Sequence, residues 1–275
     1  MNGIELREAL HSGKRIYSTM LVSRSPKYVE TIAGLGLDMV FIDTEHNAID
    51  RTTLGWMCAA YSAKNIAPVV RIPTHDIYDA SMALDAGAAG VIVPYTEDIE
   101  TVRAMVGAVK YKPLKGDRLN GFLSGKEALE PELEAYLDRA NAGHSLIVNI
   151  ESVPAMDRLD ELLAVPGLDG ILIGPHDLSC SLGIPEAYDD PVYERAVAEI
   201  LARARKAGIG SGIHVHYAKN GLAQEIAWAK ETGANLIVHH SDILSFALGL
   251  QRDLAELRSG IEGSAESAEG MTINI

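Results

Sequence analysis

Eight short apolar runs, rich in β-branched residues, recur along the 275-residue chain with amphipathic stretches between them. The runs lie at 16–21, 39–43, 68–72, 90–94, 145–150, 170–173, 210–215 and 236–238. Continuous apolar runs of this length read as parallel strands covered on both faces. The stretches between them, at 26–34, 52–64, 77–86, 99–111, 155–163, 191–207 and 222–232, carry a helical period, and several close on a glycine suited to a C-cap, as at Gly87, Gly208 and Gly233. Eight strand–helix repeats predict a closed (β/α)8 TIM barrel, one domain over residues 1–258. A doubly wound sheet would place a glycine-rich phosphate loop after the first strand, and Leu21-Val22-Ser23-Arg24-Ser25 is not one. The segment 111–143 falls outside the repeat and reads as a long insertion with a short helix near 131–140. Residues 259–275, small, acidic and rich in serine and glycine, read as a flexible tail.

Composition narrows the partners. The net charge is −14, from 38 acidic and 24 basic residues, which disfavours nucleic acid and anionic membrane surfaces. Any anionic substrate must then meet positive charge that is local. Two cysteines, Cys58 and Cys180, make no disulfide framework and point to a reducing compartment. The start of the chain lacks a signal-peptide core, and no apolar run has the length of a membrane span, so a cytoplasmic location is expected.

Catalytic groups of such barrels gather at the C-terminal ends of the strands, so those ends are where chemistry is sought. Glu151 follows the fifth run, and Asp177 follows the sixth in Gly174-Pro175-His176-Asp177-Leu178-Ser179. Two carboxylates at neighbouring strand ends can converge on a hard cation with open positions, Mg²⁺, Mn²⁺ or Co²⁺. Taken singly, Glu151 also reads as a solvated strand-end charge and Asp177 as a helix cap. The second run ends in Asp43-Thr44-Glu45-His46, the third in Arg71, the seventh brings His214 and His216, and the eighth His239, His240 and Asp242. A 2-oxo acid such as pyruvate could chelate the cation, Arg71 could hold the developing oxyanion, and His46 could move the proton. Asp85, just before the fourth strand, is placed as the carboxylate that orients His46. No lysine lies on any of the eight runs, which argues against Schiff-base chemistry.

With these residues assembled, the chain resembles the HpcH/HpaI family of metal-dependent 2-keto-3-deoxy-acid aldolases, in the phosphoenolpyruvate/pyruvate barrel superfamily. Phe41-Ile42-Asp43-Thr44-Glu45-His46, Val69-Val70-Arg71, Leu84-Asp85-Ala86-Gly87, Ile150-Glu151 and Ile173-Gly174-Pro175-His176-Asp177-Leu178-Ser179 carry the resemblance. It implies class II cleavage of a 4-hydroxy-2-oxo acid to pyruvate and an aldehyde through a pyruvate enolate stabilised by a divalent metal. It also implies that Glu151 and Asp177 are metal ligands, that His46 and Asp85 form a base dyad, and that Arg71 stabilises the enolate. The backbone of Gly174, Pro175, His176 and Asp177 would hold the pyruvate carboxylate, beside Asn149. Members of the family are typically hexamers, trimers of dimers, whose last helix packs on a neighbouring subunit.

Four positions depart from the family's pattern. Asn149 replaces a usual glutamine, Leu119 a glycine, Met20 an aromatic residue, and His214 a frequently apolar one, so acceptor specificity does not carry over. His214 is expected to hydrogen-bond the aldehyde. Two other functions use the same scaffold: oxaloacetate decarboxylation with transfer to an acceptor, as in macrophomate synthase, and non-catalytic keto-acid binding. A separate transition-metal site made of His214, His216, His239 and His240 is weighed against a polar pocket wall, which is favoured.

Overall fold

A computed structural model describes residues 1–214 and 221–263. Eight parallel strands close into a barrel in sequence order: β1 (Ile16–Leu21), β2 (Met39–Asp43), β3 (Ala67–Arg71), β4 (Gly90–Val93), β5 (Ser145–Asn149), β6 (Gly170–Ile173), β7 (Gly210–His214) and β8 (Leu236–Ser241). The (β/α)8 architecture read from the repeats is the one observed.

Strand period two divides the apolar residues into two cores. Val40, Ile42, Val70, Val91, Val148, Ile171 and Ile213 face outward and pack under the surrounding helices. Met39, Phe41, Val69, Ile92, Ile147, Leu172, Leu236 and Val238 face inward and fill the barrel. The helix Gly3–Ser12 plugs its N-terminal end with Leu6, Ala9 and Leu10, all buried. That helix is set by a capping box, in which Asn2 and Glu5 satisfy each other's backbone N–H groups. A side chain at Gly210 would collide with Leu10, so β7 is glycine-rich where the plug enters.

The same parity turns Asp43, Arg71 and Asn149 inward at the C-terminal ends of their strands, each two residues from an inward neighbour, and His214 inward as the residue after the outward Ile213. Below them the apolar layers close the barrel, so these polar side chains form its mouth.

The structure departs from expectation in several elements. The stretch 155–163 is two helices, Val153–Asp157 and Leu159–Leu163, broken where Arg158 sits at φ −102°, ψ 11°. The insertion holds the expected helix, Pro131–Asn141, and a second one, Gly116–Leu123. Two glycines and an asparagine hide that second helix from propensity. Packing sustains it: Leu119 is buried, and Phe122 meets the Tyr111 ring edge-on at 4.9 Å. The last helix, Asp242–Glu262, extends four residues into the stretch read as tail and ends on Gly263 at φ 68°. The remainder of that tail, and His216, lie outside the described residues.

Candidate active site

Arg71 organises one half of the mouth. Its Nε donates to Asp43 Oδ1 at 2.8 Å and lies 3.1 Å from Glu45 Oε2, and its guanidinium carbon stands 5.2 Å from the centre of the Phe41 ring. The terminal amino groups have no hydrogen-bond partner among the described residues. Burial would discourage charge on both Asp43 and Arg71, but their mutual contact outweighs it: the carboxyl is held below its ordinary range and the guanidinium above. The turn after β2 is tied to the same pair. Glu45 N–H donates to Asp43 Oδ1, Asn47 Nδ2 to Asp43 Oδ2, and Thr44 donates twice to the Arg71 carbonyl. His46 comes next, with Nε2 3.5 Å from Glu45 Oε2, and it is half exposed at the rim.

Glu151 organises the other half. It is buried, with Oε1 accepting from the Tyr95 N–H at 2.7 Å and Oε2 from Asn149 Nδ2 at 3.0 Å. Tyr95 presents that N–H from a left-handed backbone, φ 38°, a conformation costing a non-glycine residue about 1 kcal/mol or more. Gly174 packs so close that a Cβ there would collide with the Glu151 carboxylate. Burial pushes the Glu151 carboxyl up to about 7; the Tyr95 N–H opposes this, and the charge of Asp177 adds to it. Asp177 lies in the first turn of the helix Pro175–Ser181, whose N-cap is Gly174, so Asp177 is not the cap. Its side chain is exposed toward the mouth, within electrostatic reach of Glu151 and Glu45.

This donor set suits a hard divalent cation. The charge of Asp177 adds to the upward shift of Glu151, and a positive charge between the two carboxylates would relieve it. The buried Asn149 Oδ1 beside Glu151 has no partner among the described residues. Among the described residues no three His, Cys, Asp or Glu side chains form a metal-ligand cluster, so the histidine site weighed above gains no support from His214, His239 and His240. A cation held by one or two carboxylates and otherwise by water and substrate is typical of Mg²⁺.

The two halves meet. Arg71 feels the charge of Glu151, and His214 lies within electrostatic reach of Arg71 and Asp43, its ring edge-on to Phe41 at 5.9 Å. Burial, reinforced by Arg71, lowers the His214 imidazole to about 3, so it is neutral, and its buried Nε2 has no partner among the described residues. His239 and His240 stack edge-on at 4.5 Å beside it.

Two expected site residues are not brought in. Asp85 ends the helix Ile77–Asp85 five residues before β4 begins, at the barrel end opposite the mouth, where it pairs with Lys112. Helices of this fold run back against their strands, so within one protomer Asp85 cannot reach His46. The His176 side chain is exposed and turns to Glu186, 3.7 Å away, which leaves only its backbone near Gly174. Sequence reading in turn assigned no role to Glu45 or Tyr95. Glu45 had a signal, since it adjoins His46 at a strand end; Tyr95 had none, because its part is played by backbone.

Comparison with known proteins places this geometry. A family model described as HpcH/HpaI aldolase/citrate lyase matches residues 18–238. The chain is 32% identical over 257 residues to the 2-keto-3-deoxy-L-rhamnonate aldolase of Escherichia coli (strain K12), covering 94% of each. It is 31% identical over 257 residues to the hydroxypyruvate/pyruvate aldolase of Roseovarius nubinhibens (strain ATCC BAA-591 / DSM 15170 / ISM), covering 92% of this chain and 96% of that protein. The crystal structure of an HpcH/HpaI aldolase from Desulfitobacterium hafniense DCB-2 superposes with a TM-score of 0.78 at 25% identity, over 92% of this chain and 96% of that one.

Proposed function

This chain belongs to the HpcH/HpaI aldolase/citrate lyase family, and we propose that it is a class II aldolase that reversibly cleaves a 4-hydroxy-2-oxo acid to pyruvate and an aldehyde. The observation that carries the reading is Arg71. It is mostly shielded from solvent, charged and clamped through Nε, its two terminal amino groups have no hydrogen-bond partner among the described residues, and it lies within electrostatic reach of Glu151. Only an oxygen that gains negative charge makes full use of such a group.

Glu151 and Asp177 would hold the divalent cation, Mg²⁺, Mn²⁺ or Co²⁺, with Tyr95 N–H and Asn149 fixing the Glu151 carboxylate. When bound, the cation supplies Lewis-acid polarisation of the 2-oxo acid. The chain's own groups then act in sequence. Backbone at Gly174, Pro175 and His176 and the first turn bearing Asp177 orient the pyruvate carboxylate. Arg71 donates to the C2 oxygen as the C3–C4 bond breaks and its electrons pass toward that oxygen. His46, at the rim, moves the proton at C3. The 4-hydroxyl proton would pass to His46 as the aldehyde carbonyl forms, His46 would give a proton on to C3, and the aldehyde would leave past His214, whose Nε2 has no partner among the described residues and suits a hydroxylated acceptor.

Imine chemistry is disfavoured by where the lysines lie. The one buried lysine among the described residues, Lys110, is lowered to about 8 by burial against the pull of Asp169, but it pairs with that carboxylate and the His144 carbonyl at the N-terminal end of the barrel. The last helix leaves Ile243, Phe246, Leu250, Leu254, Leu257 and Ile261 exposed at spacings of three and four. Such a stripe supports assembly with further copies of the chain, a hexamer in the reading given by resemblance. No described helix is long and apolar enough to cross a membrane, and the free cysteines fit the cytoplasmic location expected above.

A panel of 4-hydroxy-2-oxo acids, assayed for pyruvate release through lactate dehydrogenase, tests the reaction. Pyruvate with a stoichiometric aldehyde is the expected product pair. Release from oxaloacetate alone, with no cleavage of any hydroxy-oxo acid, would replace the reading with decarboxylation.

A further inference from the structure

The turn after β4 is tied down on several sides. The Pro94 carbonyl accepts from His75 Nε2 at 2.7 Å, and the Thr96 N–H donates to the Asn149 carbonyl at 3.2 Å. The buried Thr96 hydroxyl turns back on the Val93 and Pro94 carbonyls, and Glu97 accepts from Ser152 Oγ at 2.6 Å. Between these ties Tyr95 is held in its left-handed backbone, φ 38°, a strain that persists only where the surroundings over-determine it. The Tyr95 side chain is the exception to this fixing. It has no hydrogen-bond partner among the described residues, belongs to neither hydrophobic core, and is 43% exposed. Its phenol stands on the Glu151 and Asp177 side of the mouth, within electrostatic reach of both and of Glu97.

A glycine would present the same N–H to Glu151 without strain. The tyrosine therefore adds a cost to the turn and no packing to the core, so its side chain is left to serve what enters the mouth. We propose that Tyr95 is a specificity-determining residue of the reaction, its ring flanking the aldehyde portion of the substrate and its hydroxyl hydrogen-bonding a neutral, hydroxylated one. The inference rests on the aldolase reading above. A phenol both donates and accepts, which matches an alcohol, whereas an alkyl chain would strip water from the hydroxyl and give it no partner. Charge sets the second preference. A cation would offset Glu151 and Asp177, but Glu97 stays within reach of the phenol and the 2-oxo acid brings a carboxylate of its own. A further carboxylate on the aldehyde would be repelled.

Pyruvate addition by the full-length protein to glyceraldehyde, butanal and succinic semialdehyde tests this, the three probes being hydroxylated, alkyl and carboxylate-bearing. The unaltered protein should show its highest kcat/KM with glyceraldehyde. Tyr95→Phe, which keeps the ring and the backbone, should lower the glyceraldehyde-to-butanal ratio of kcat/KM about three- to tenfold, the worth of one hydrogen bond. Any loss in forming the pyruvate enolate is common to both aldehydes and cancels in that ratio. Tyr95→Ala should lower the ratio at least as much while Tm stays within about 2 °C of the parent. An unchanged ratio in Tyr95→Phe overturns the proposal, as does a preference of the unaltered protein for succinic semialdehyde. A larger fall in Tm for Tyr95→Ala also overturns it, since the ring would then be packed on the chain or on another copy of it. These three outcomes leave the aldolase reading standing. Addition to none of the aldehydes, with no cleavage of any 4-hydroxy-2-oxo acid, overturns that reading and this proposal with it.

Discussion

Arg71 is held by one of its three nitrogens, and that detail decides what can replace it. Nε is engaged by Asp43 and Glu45, so the terminal amino groups reach the mouth in a fixed fork. Lysine keeps the charge but cannot hold two carboxylates with one nitrogen and a substrate with two others. Arg71→Lys is therefore expected to lower pyruvate-forming turnover by about 10²-fold or more, the usual cost of an oxyanion donor, with the fold retained by circular dichroism. Turnover within a few-fold of the parent would remove Arg71 from the chemistry. His214 makes a different prediction. It is neutral, its Nε2 has no partner among the described residues, and an unpaired buried polar atom costs free energy unless a ligand satisfies it. His214→Leu should shift relative specificity toward alkyl aldehydes and away from hydroxylated ones by about 1–3 kcal/mol, read across an aldehyde panel. An unchanged ranking would leave the ring a packing partner of Phe41.

Among the elements, the plug helix Gly3–Ser12 depends on one buried carboxylate. Asp169, almost wholly buried at the foot of β6, accepts from Arg7, His11, Lys110 and the Leu146 N–H, and so ties the plug to the barrel wall. Removing one partner of such a buried set typically costs about 3–5 kcal/mol, so Asp169→Ala should lower the denaturation midpoint by a corresponding amount. Burial opposes its charge, but His11 and Lys110 outweigh that and hold the Asp169 carboxyl below its ordinary value of 3.8. Its contribution is thus present above that value and lost as the pH falls through the lower folded one. His11 runs the other way. The hydrogen bond to Asp169 raises it above 6.5, so its stabilisation is complete below 6.5 and is lost as the pH rises through the folded value. A thermal melt series across neutrality should show Tm declining on the alkaline side, and His11→Gln should flatten that limb. The barrel itself was legible in sequence because buried parallel strands are written as continuous apolar runs, and their even parity puts Arg71 and Asn149 in the mouth. The helix Gly116–Leu123 was not legible, since tertiary packing of Leu119 overrides weak propensity. The separation of Asp85 from His46 within one protomer was not legible, because adjacency to a strand in sequence does not reveal which end of the strand a residue meets. Tyr95 was invisible because a backbone N–H leaves no mark in side-chain chemistry.

At the scale of the whole molecule, a chain with net charge −14 would have to concentrate positive charge where an anionic substrate binds, and in the proposed reading Arg71 with a divalent cation would do so at one end of the barrel. The last helix adds an outward feature. Phe246 is 68% exposed and Ile261 79%, more than a solvated helix of a lone protomer would leave open. Phe246→Glu with Leu250→Glu is expected to reduce the mass seen by light scattering while far-ultraviolet circular dichroism stays constant; an unchanged mass would show that the stripe is not an assembly surface. Whatever the assembly, the proposed reaction turns on one event, abstraction of a pyruvate methyl proton under the joint influence of Arg71, His46 and a cation that Glu151 and Asp177 would hold. Proton NMR of pyruvate in D₂O follows that event without any aldehyde. Exchange of the methyl signal is predicted with the protein as prepared, its loss after thorough chelation, its return with Mg²⁺, Mn²⁺ or Co²⁺, and no return in Glu151→Gln. Undiminished exchange in the chelated protein, or in Glu151→Gln, would contradict the account.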